Sequence, residues 1–210
     1  MKKAVTEDEI VKLIKNGASE VHLTKDDILT PLAIDRIRSA GLQIIRGGNS
    51  AQTFSSQSKK IVIGSDHTGV KAKKILVEWL KSKSCEVLDI GTYNEDSVDY
   101  PDIAFNAASR VANKEFDYGI LIDATGIPSA ITANKIPGIR AATCYNEFSA
   151  KSSREHNNAN VLVLGAKSLG EETIKSVTDV WLNSNFLGDR HQRRLDKITA
   201  IEQKYSKNEM

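Results

Sequence analysis

Four short stretches combine residue types that could do acid–base chemistry on an anionic ligand. In GSDHTG, at 64 to 69, Asp66 and His67 follow the apolar run KIVIGS and precede a helical pattern. The N–H groups of a helix start attract anions, although a plain capping turn with Asp66 as the cap also fits. In DYGILIDATGIPSA, at 117 to 130, an apolar run ends on Asp123 and passes into small residues. A carboxylate at the carboxyl end of a buried strand lies where open α/β sheets put their chemistry, and small residues let a ligand approach backbone amides. Asp123 therefore either reacts or caps the loop. SREHNNAN, at 153 to 160, sets His156 among polar neighbours before another apolar run, a position for a structural or a ligand-facing histidine. GDRHQRR packs three arginines and a histidine into seven residues, and Arg190 and Arg194, four apart, share one helical face. Such a charge run is a solvated face or a phosphate clamp. Taken together, an anion clamp, a histidine acid, a carboxylate and an amide-lined loop are the parts needed to move a proton on a sugar phosphate.

The surrounding pattern has to position these parts. From residue 60 it alternates strand and helix: KIVIGS, KAKKILVEWLKSKS, CEVLDIGT, IAFNAASRVANK, DYGILID, RAATCY, a polar helix near SAKSSREHNN, NVLVLG and IKSVTDVWLNSNF. Strands separated by helical segments predict an α/β fold in three layers, a parallel Rossmann-like sheet with helices on both faces. RLDKITAIEQKYS closes the chain as an amphipathic helix, suited to a neighbouring subunit or to its own sheet. Residues 1–46 form a small N-terminal α/β extension, with helices over EDEIVKLIKNG and from Pro31 to Ala40 and short strands at VHL and LQII. The Gly/Ser/Gln-rich stretch 47–60 reads as a linker, and 61–210 as the main domain.

Composition narrows the partners. The 210 residues carry 29 basic and 27 acidic side chains, a net charge of +2, with both signs interspersed. That distribution offers no basic face for nucleic acid and no polybasic patch for a membrane, which points to a small-molecule ligand. The start, MKKAVTEDEI, turns acidic where a secretory signal needs an apolar core, so a cytoplasmic location is expected. The two cysteines, Cys85 and Cys144, have no metal-ligand spacing and are expected to be reduced packing residues. No GxGxxG or Walker loop is present to mark a nucleotide site.

In order along the chain, GSDHTG, DIGT with SVDYPD, TANKIPGIRAA, SREHNNANVLVLG and GDRHQRRLDKITAIE resemble the ribose-5-phosphate isomerase B family, which also holds the galactose-6-phosphate isomerase subunits. The resemblance covers about residues 60 to 203. It implies a homodimer or a dimer of dimers, no metal or other cofactor, and active sites shared between two subunits. It also implies that Asp66 and His67 line the sugar-phosphate site, that Tyr100 closes one wall, and that His156, with Asn157 beside it, helps open the sugar ring. Arg190, His191 and Arg194 match the phosphate-binding end. Thr125, Gly126 and the following amides match the loop that cradles the developing enediolate, where oriented N–H donors stabilise charge on the C1 oxygen.

The chain departs from the family at its centre. Many members carry a catalytic cysteine in a pattern like CGTGIGMSIAANK, whereas this chain reads DATGIPSAITANK, with Asp123 at the cysteine position. Pro128 replaces a glycine and can donate no amide bond, and Ser129 stands where another subgroup has a glutamate base. Three readings follow: Asp123 is the base of an active isomerase; the chain is the partner subunit of a mixed oligomer; or the site binds sugar phosphate without turning it over. The non-cysteine galactose-6-phosphate isomerase subunit has a similar isoleucine-aspartate-alanine strand end but lacks a match to His67. Ribose 5-phosphate is the default substrate, ahead of an aldose 6-phosphate. The stretch EVHLTKDDILTPLAIDRIRSAGLQIIR is similar to segments appended to enzymes of bacterial microcompartments, which implies encapsulation or docking; a lineage-specific oligomerisation extension fits as well.

Overall fold

The structure, a computed structural model, describes residues 4–24, 27–46 and 58–206. Contacts divide the chain into two compact units, 1–57 and 58–210. The stretch expected as a linker lies outside the described residues as far as 57, and Lys60, assigned to its end, is instead the first residue of a strand.

In the first unit, β1 (Ala4–Val5) leads into α1 (Glu7–Lys15), followed by β2 (Glu20–Leu23), β3 (Ile28–Leu29), α2 (Pro31–Ser39) and β4 (Gln43–Arg46). β1 pairs with β3 and β2 with β4, both parallel. Each helix begins as its sequence directs. The Thr6 N–H donates to the Glu9 carboxylate at 3.1 Å, and Thr30 Oγ1 accepts the Ala33 N–H at 3.3 Å just ahead of Pro31. Val5, Ile10, Val21, Leu23, Ala33 and Ile37 form the core of this unit.

The second unit runs β5 (Lys60–Ser65), α3 (Val70–Ser82), β6 (Glu86–Asp89), α4 (Tyr100–Ala112), β7 (Tyr118–Asp123), α5 (Ile127–Ala133), β8 (Ala141–Thr143), α6 (Glu147–Glu155), β9 (Val161–Gly165), α7 (Glu171–Asn183) and α8 (Arg190–Ser206). Its five strands form one parallel sheet in the order β6-β5-β7-β9-β8. Strand side chains alternate between faces, so each apolar run feeds two cores at once. Ile61, Ile63, Ile120, Ile122, Leu162 and Leu164 pack with Leu76 and Leu80 of α3 and Trp181 of α7. Val62, Leu121, Val161 and Val163 pack against the alanines of α4 and α5. These are the three layers that the strand and helix alternation predicts.

Like the two-residue strands β1 and β3 of the first unit, α5 in the second is missed by the sequence pattern. Its residues are small and its first turn is Ile-Pro-Ser, which reads as loop, yet it starts directly beyond β7 and buries Ser129, Ala130 and Ala133. Proline in the first helical turn is tolerated because the N–H there lacks an intrahelical partner in any case.

Candidate active site

Along β7, Leu121 faces α4 and α5 while Ile120 and Ile122 face α3 and α7, so the same alternation carries Asp123 to the α5 side at the strand end. Asp123 is fully buried. Its Oδ1 accepts the Gly126 N–H at 2.6 Å and the Thr125 N–H at 2.9 Å, with the Thr125 hydroxyl at 3.4 Å. Its Oδ2 accepts the Ser129 N–H at 3.1 Å. The Ile127 N–H goes to Thr125 Oγ1 at 3.2 Å, and Pro128 has none. Every N–H between residues 125 and 129 is thus engaged within the loop, chiefly by the carboxylate standing where the family pattern has a cysteine.

The carbonyls of the same loop are held from the other side. Tyr145 Oη donates to the Thr125 carbonyl at 3.0 Å and Thr143 Oγ1 to the Gly126 carbonyl at 2.7 Å. Gly126 has φ +81, and a Cβ there would lie 2.7 Å from Thr143 Cγ2 and 3.1 Å from the Leu164 carbonyl carbon, so only glycine fits. The sequence gives no sign of Thr143 and Tyr145 as parts of the site. They follow an unremarkable short strand, and nothing in their spacing reveals that β8 ends beside this loop.

At the end of β5, Asp66 Oδ1 accepts the Thr68 N–H at 2.8 Å and the Thr68 hydroxyl at 2.6 Å, the capping geometry its position allows. The Val98 N–H reaches His67 Nδ1 at 3.4 Å, which leaves the proton of a neutral imidazole on Nε2. Tyr100, the first residue of α4, is exposed and follows Val98 by two residues. Asp66, His67, Tyr100, Asp123, Thr125 and Gly126 therefore gather at the carboxyl edge of the sheet.

The other predicted residues gather at the opposite edge. α6 runs back against the strands, so His156, its C-cap, and Asn157 lie ahead of the start of β9. The buried Arg154 fixes this helix end: its guanidinium sits 4.9 Å from the Tyr118 ring centroid and 5.2 Å from that of Trp181, and it donates to Asn158 Oδ1 at 3.1 Å. α8 brings His191 onto His156, the rings stacked with centroids 4.4 Å apart and planes 7° from parallel. Ser152 Oγ lies 3.1 Å from His156 Nδ1, and Asn157 Nδ2 donates to the Ser152 carbonyl at 3.3 Å. Arg190 Nε donates to His191 Nε2 at 3.3 Å, and Arg194 follows one helical turn later. Loss of water around the His191 ring, then repulsion from His156, Arg190 and Arg194, pushes its pKa below the usual histidine value.

One chain thus carries a carboxylate and a held amide loop at one end of the sheet and a histidine–arginine cluster at the other. A strand such as β9, five residues long, spans roughly 16 Å at about 3.3 Å per residue, too far for both groups to meet one small ligand. Among the described residues, no group of three or more His, Cys, Asp or Glu side chains is arranged to hold a metal ion.

Residues 61–198 match the family described as Ribose/Galactose Isomerase. The chain is 45% identical over 146 residues to ribose-5-phosphate isomerase B of Escherichia coli K12, a match covering 70% of this chain and 98% of that protein. Among solved structures, ribose-5-phosphate isomerase B of Clostridium thermocellum is similar with a TM-score of 0.69 and 47% identity, covering 70% of this chain and 99% of the other. The Mycoplasma genitalium ribose-5-phosphate isomerase B with bound ribulose-5-phosphate is similar with a TM-score of 0.66 and 44% identity, covering 69% of this chain and 96% of the other.

Proposed function

The chain belongs to the ribose/galactose isomerase family, and on that premise we propose that it is an aldose–ketose isomerase interconverting ribose 5-phosphate and ribulose 5-phosphate through an enediolate. The observation that carries this reading is the asymmetry of the Asp123 carboxylate: Oδ1 is anchored by two amides, while Oδ2 has a single N–H partner and keeps a lone pair for a proton. A carboxylate performs the analogous proton transfer in triosephosphate isomerase. Asp123 takes the C2 proton, the electron pair forms the C1–C2 double bond, and charge collects on the C1 oxygen. Return of that proton to C1, with transfer of the O2 hydroxyl proton to O1, gives the ketose. On accepting the proton Asp123 loses its charge and its grip on the amides of Thr125, Gly126 and Ser129, so these donors become available as the enediolate charge grows.

The opposite placement of the two groups supports a site made by two copies, the carboxyl edge of one meeting the histidine–arginine cluster of its partner. In that arrangement His156, oriented by Ser152, opens the sugar ring, with Asn157 beside it, while Arg190, His191 and Arg194 hold the phosphate. Asp66, His67 and Tyr100 line the sugar. A homodimer is the smallest assembly that completes this site.

Burial favours a second reading. Asp123 is sealed from solvent and fills the amide loop as an internal anion, the state of a subunit that binds sugar phosphate and leaves turnover to a paralogous partner. Assay of the purified chain alone with ribose 5-phosphate separates the two. Ketose formation establishes the isomerase; bound sugar phosphate with no ketose formed establishes the binding subunit.

No described helix is long and apolar enough to cross a membrane. The N-terminal unit, through its similarity to microcompartment-associated segments, would dock the enzyme to a shell or to a neighbouring enzyme.

A further inference from the structure

Among the described residues of the second unit, the most deeply buried cation has no part in the proposed proton transfer. Lys73, in the first turns of α3, is 2% exposed. Its ammonium forms a short ion pair with Asp89 at the end of β6 and lies 4.6 Å from the centroid of the Tyr93 ring. Asp89 also accepts the Gly91 N–H on Oδ1 at 3.0 Å, and its backbone carbonyl accepts the Tyr93 hydroxyl at 2.8 Å.

These contacts continue into the sugar-lining residues. The Ser65 N–H donates to the Gly91 carbonyl at 2.9 Å, and the Thr92 N–H donates to the Ser65 carbonyl at 2.8 Å, bracketing the residue before Asp66. Further along the same loop, Val98 donates to His67 and Tyr100 opens α4. A buried ammonium is costly unless paired, and it has one carboxylate and one ring for that purpose. The charge is therefore placed where it ties α3, β6 and the 91–100 loop to the Asp66–His67 turn.

We infer that Lys73 and Asp89 are positioning residues for substrate binding: the ion pair of the buried Lys73 with the partly exposed Asp89 latches the loop carrying Tyr93, Val98 and Tyr100 against the Asp66–His67 turn, so that the sugar-phosphate wall is preformed before ligand arrives. The inference rests on the proposed isomerase reading, because it takes those loops to be the sugar wall. Neither side chain touches the reacting atoms, so losing the latch raises the cost of ordering the wall and leaves proton transfer to Asp123 largely intact.

The test uses the full chain with Lys73→Met, with the double variant Lys73→Met/Asp89→Asn, and with Tyr93→Phe. Lys73→Met removes the buried ammonium, and Asp89→Asn removes the opposite charge while keeping a side-chain oxygen for the Gly91 N–H, so the double variant loses the ion pair without stranding a charge or a buried donor. The double variant is expected to unfold at a temperature near that of the wild type while its KM for ribose 5-phosphate rises about tenfold and kcat stays within about threefold, the split of a ground-state binding defect. Tyr93→Phe, at an exposed side chain, is expected to raise KM by a smaller factor in the same direction. Calorimetric titration of ribose 5-phosphate gives the same comparison as a Kd if the chain binds without turnover. A folded double variant with wild-type KM and Kd overturns the inference alone; a wild type that neither binds nor isomerises ribose 5-phosphate overturns the reading and the inference with it.

Discussion

Asp123→Asn changes one heavy atom at the centre of the site, and its cost can be worked from the hydrogen bonds. The side-chain oxygen still faces the N–H groups of Thr125 and Gly126, but the new amide nitrogen faces the Ser129 N–H, donor against donor. A buried donor left without an acceptor costs about 1–3 kcal/mol, and each surviving bond falls from charge-assisted to neutral, a loss of about 1 kcal/mol. Burying an amide in place of a carboxylate returns part of this, leaving a net destabilisation of about 3 kcal/mol. For a chain of this size that lowers the melting temperature by roughly 6–12 °C. The chemistry is the sharper readout: a general base contributes about 10²–10⁴-fold. Initial rates of ketose formation, measured well below the variant's melting temperature and normalised to folded protein, are expected to fall by at least about 100-fold with ribose 5-phosphate still bound. Asp123→Cys, which restores the side chain of the CGTGIGMSIAANK pattern, keeps turnover within reach of the wild type and shows that the loop tolerates substitution there. Wild-type turnover per folded molecule in Asp123→Asn would refute the proton-transfer role and leave Asp123 as a cap.

Further consequences are open to measurement. If each site draws on two copies, inactive Asp123→Asn and His156→Asn chains, dissociated and reassembled in equal amounts, recover about one quarter of wild-type activity, since half the dimers are mixed and each has one intact site; no recovery would refute a site shared between two copies. The lowered pKa of His191 means that the unfolded chain binds a proton there more readily than the folded one. Its contribution to stability is therefore present above about pH 6.5 and lost as pH falls below that value, a dependence that thermal unfolding from pH 8 to 5 should show and that His191→Asn should flatten. Gly126→Ala forces a Cβ against Thr143 and a left-handed backbone on alanine, which should cost at least about 1–2 kcal/mol and a large share of turnover. A chain lacking residues 1–57 should isomerise ribose 5-phosphate at the full-length rate; loss of activity in a folded truncated dimer would give the first unit a catalytic role.

Much of this was legible in the residues themselves. Continuous apolar runs such as KIVIGS and NVLVLG specify strands buried on both faces, because only a covered parallel sheet has use for such runs, and TP ahead of LAIDRIRSAG specifies a capped helix start. The order of motifs placed the chain in its family, and the replacement of cysteine by Asp123 was visible as a single letter. Sequence spacing could not show which edge of the sheet each motif occupies. His156 and Asp123 read as parts of one site, yet α6 returns along the sheet and delivers His156 to the edge opposite Asp123, a consequence of chain direction in a parallel fold. Nor could it show that α5 begins at once after Gly126 and turns the Ser129 amide onto Asp123, or that Tyr145 and Thr143 arrive from a distant strand to hold the same loop. Composition sets which groups can ionise, donate or accept; whether Asp123 meets solvent, substrate or its own backbone amides depends on distances that exist only once the strands have paired.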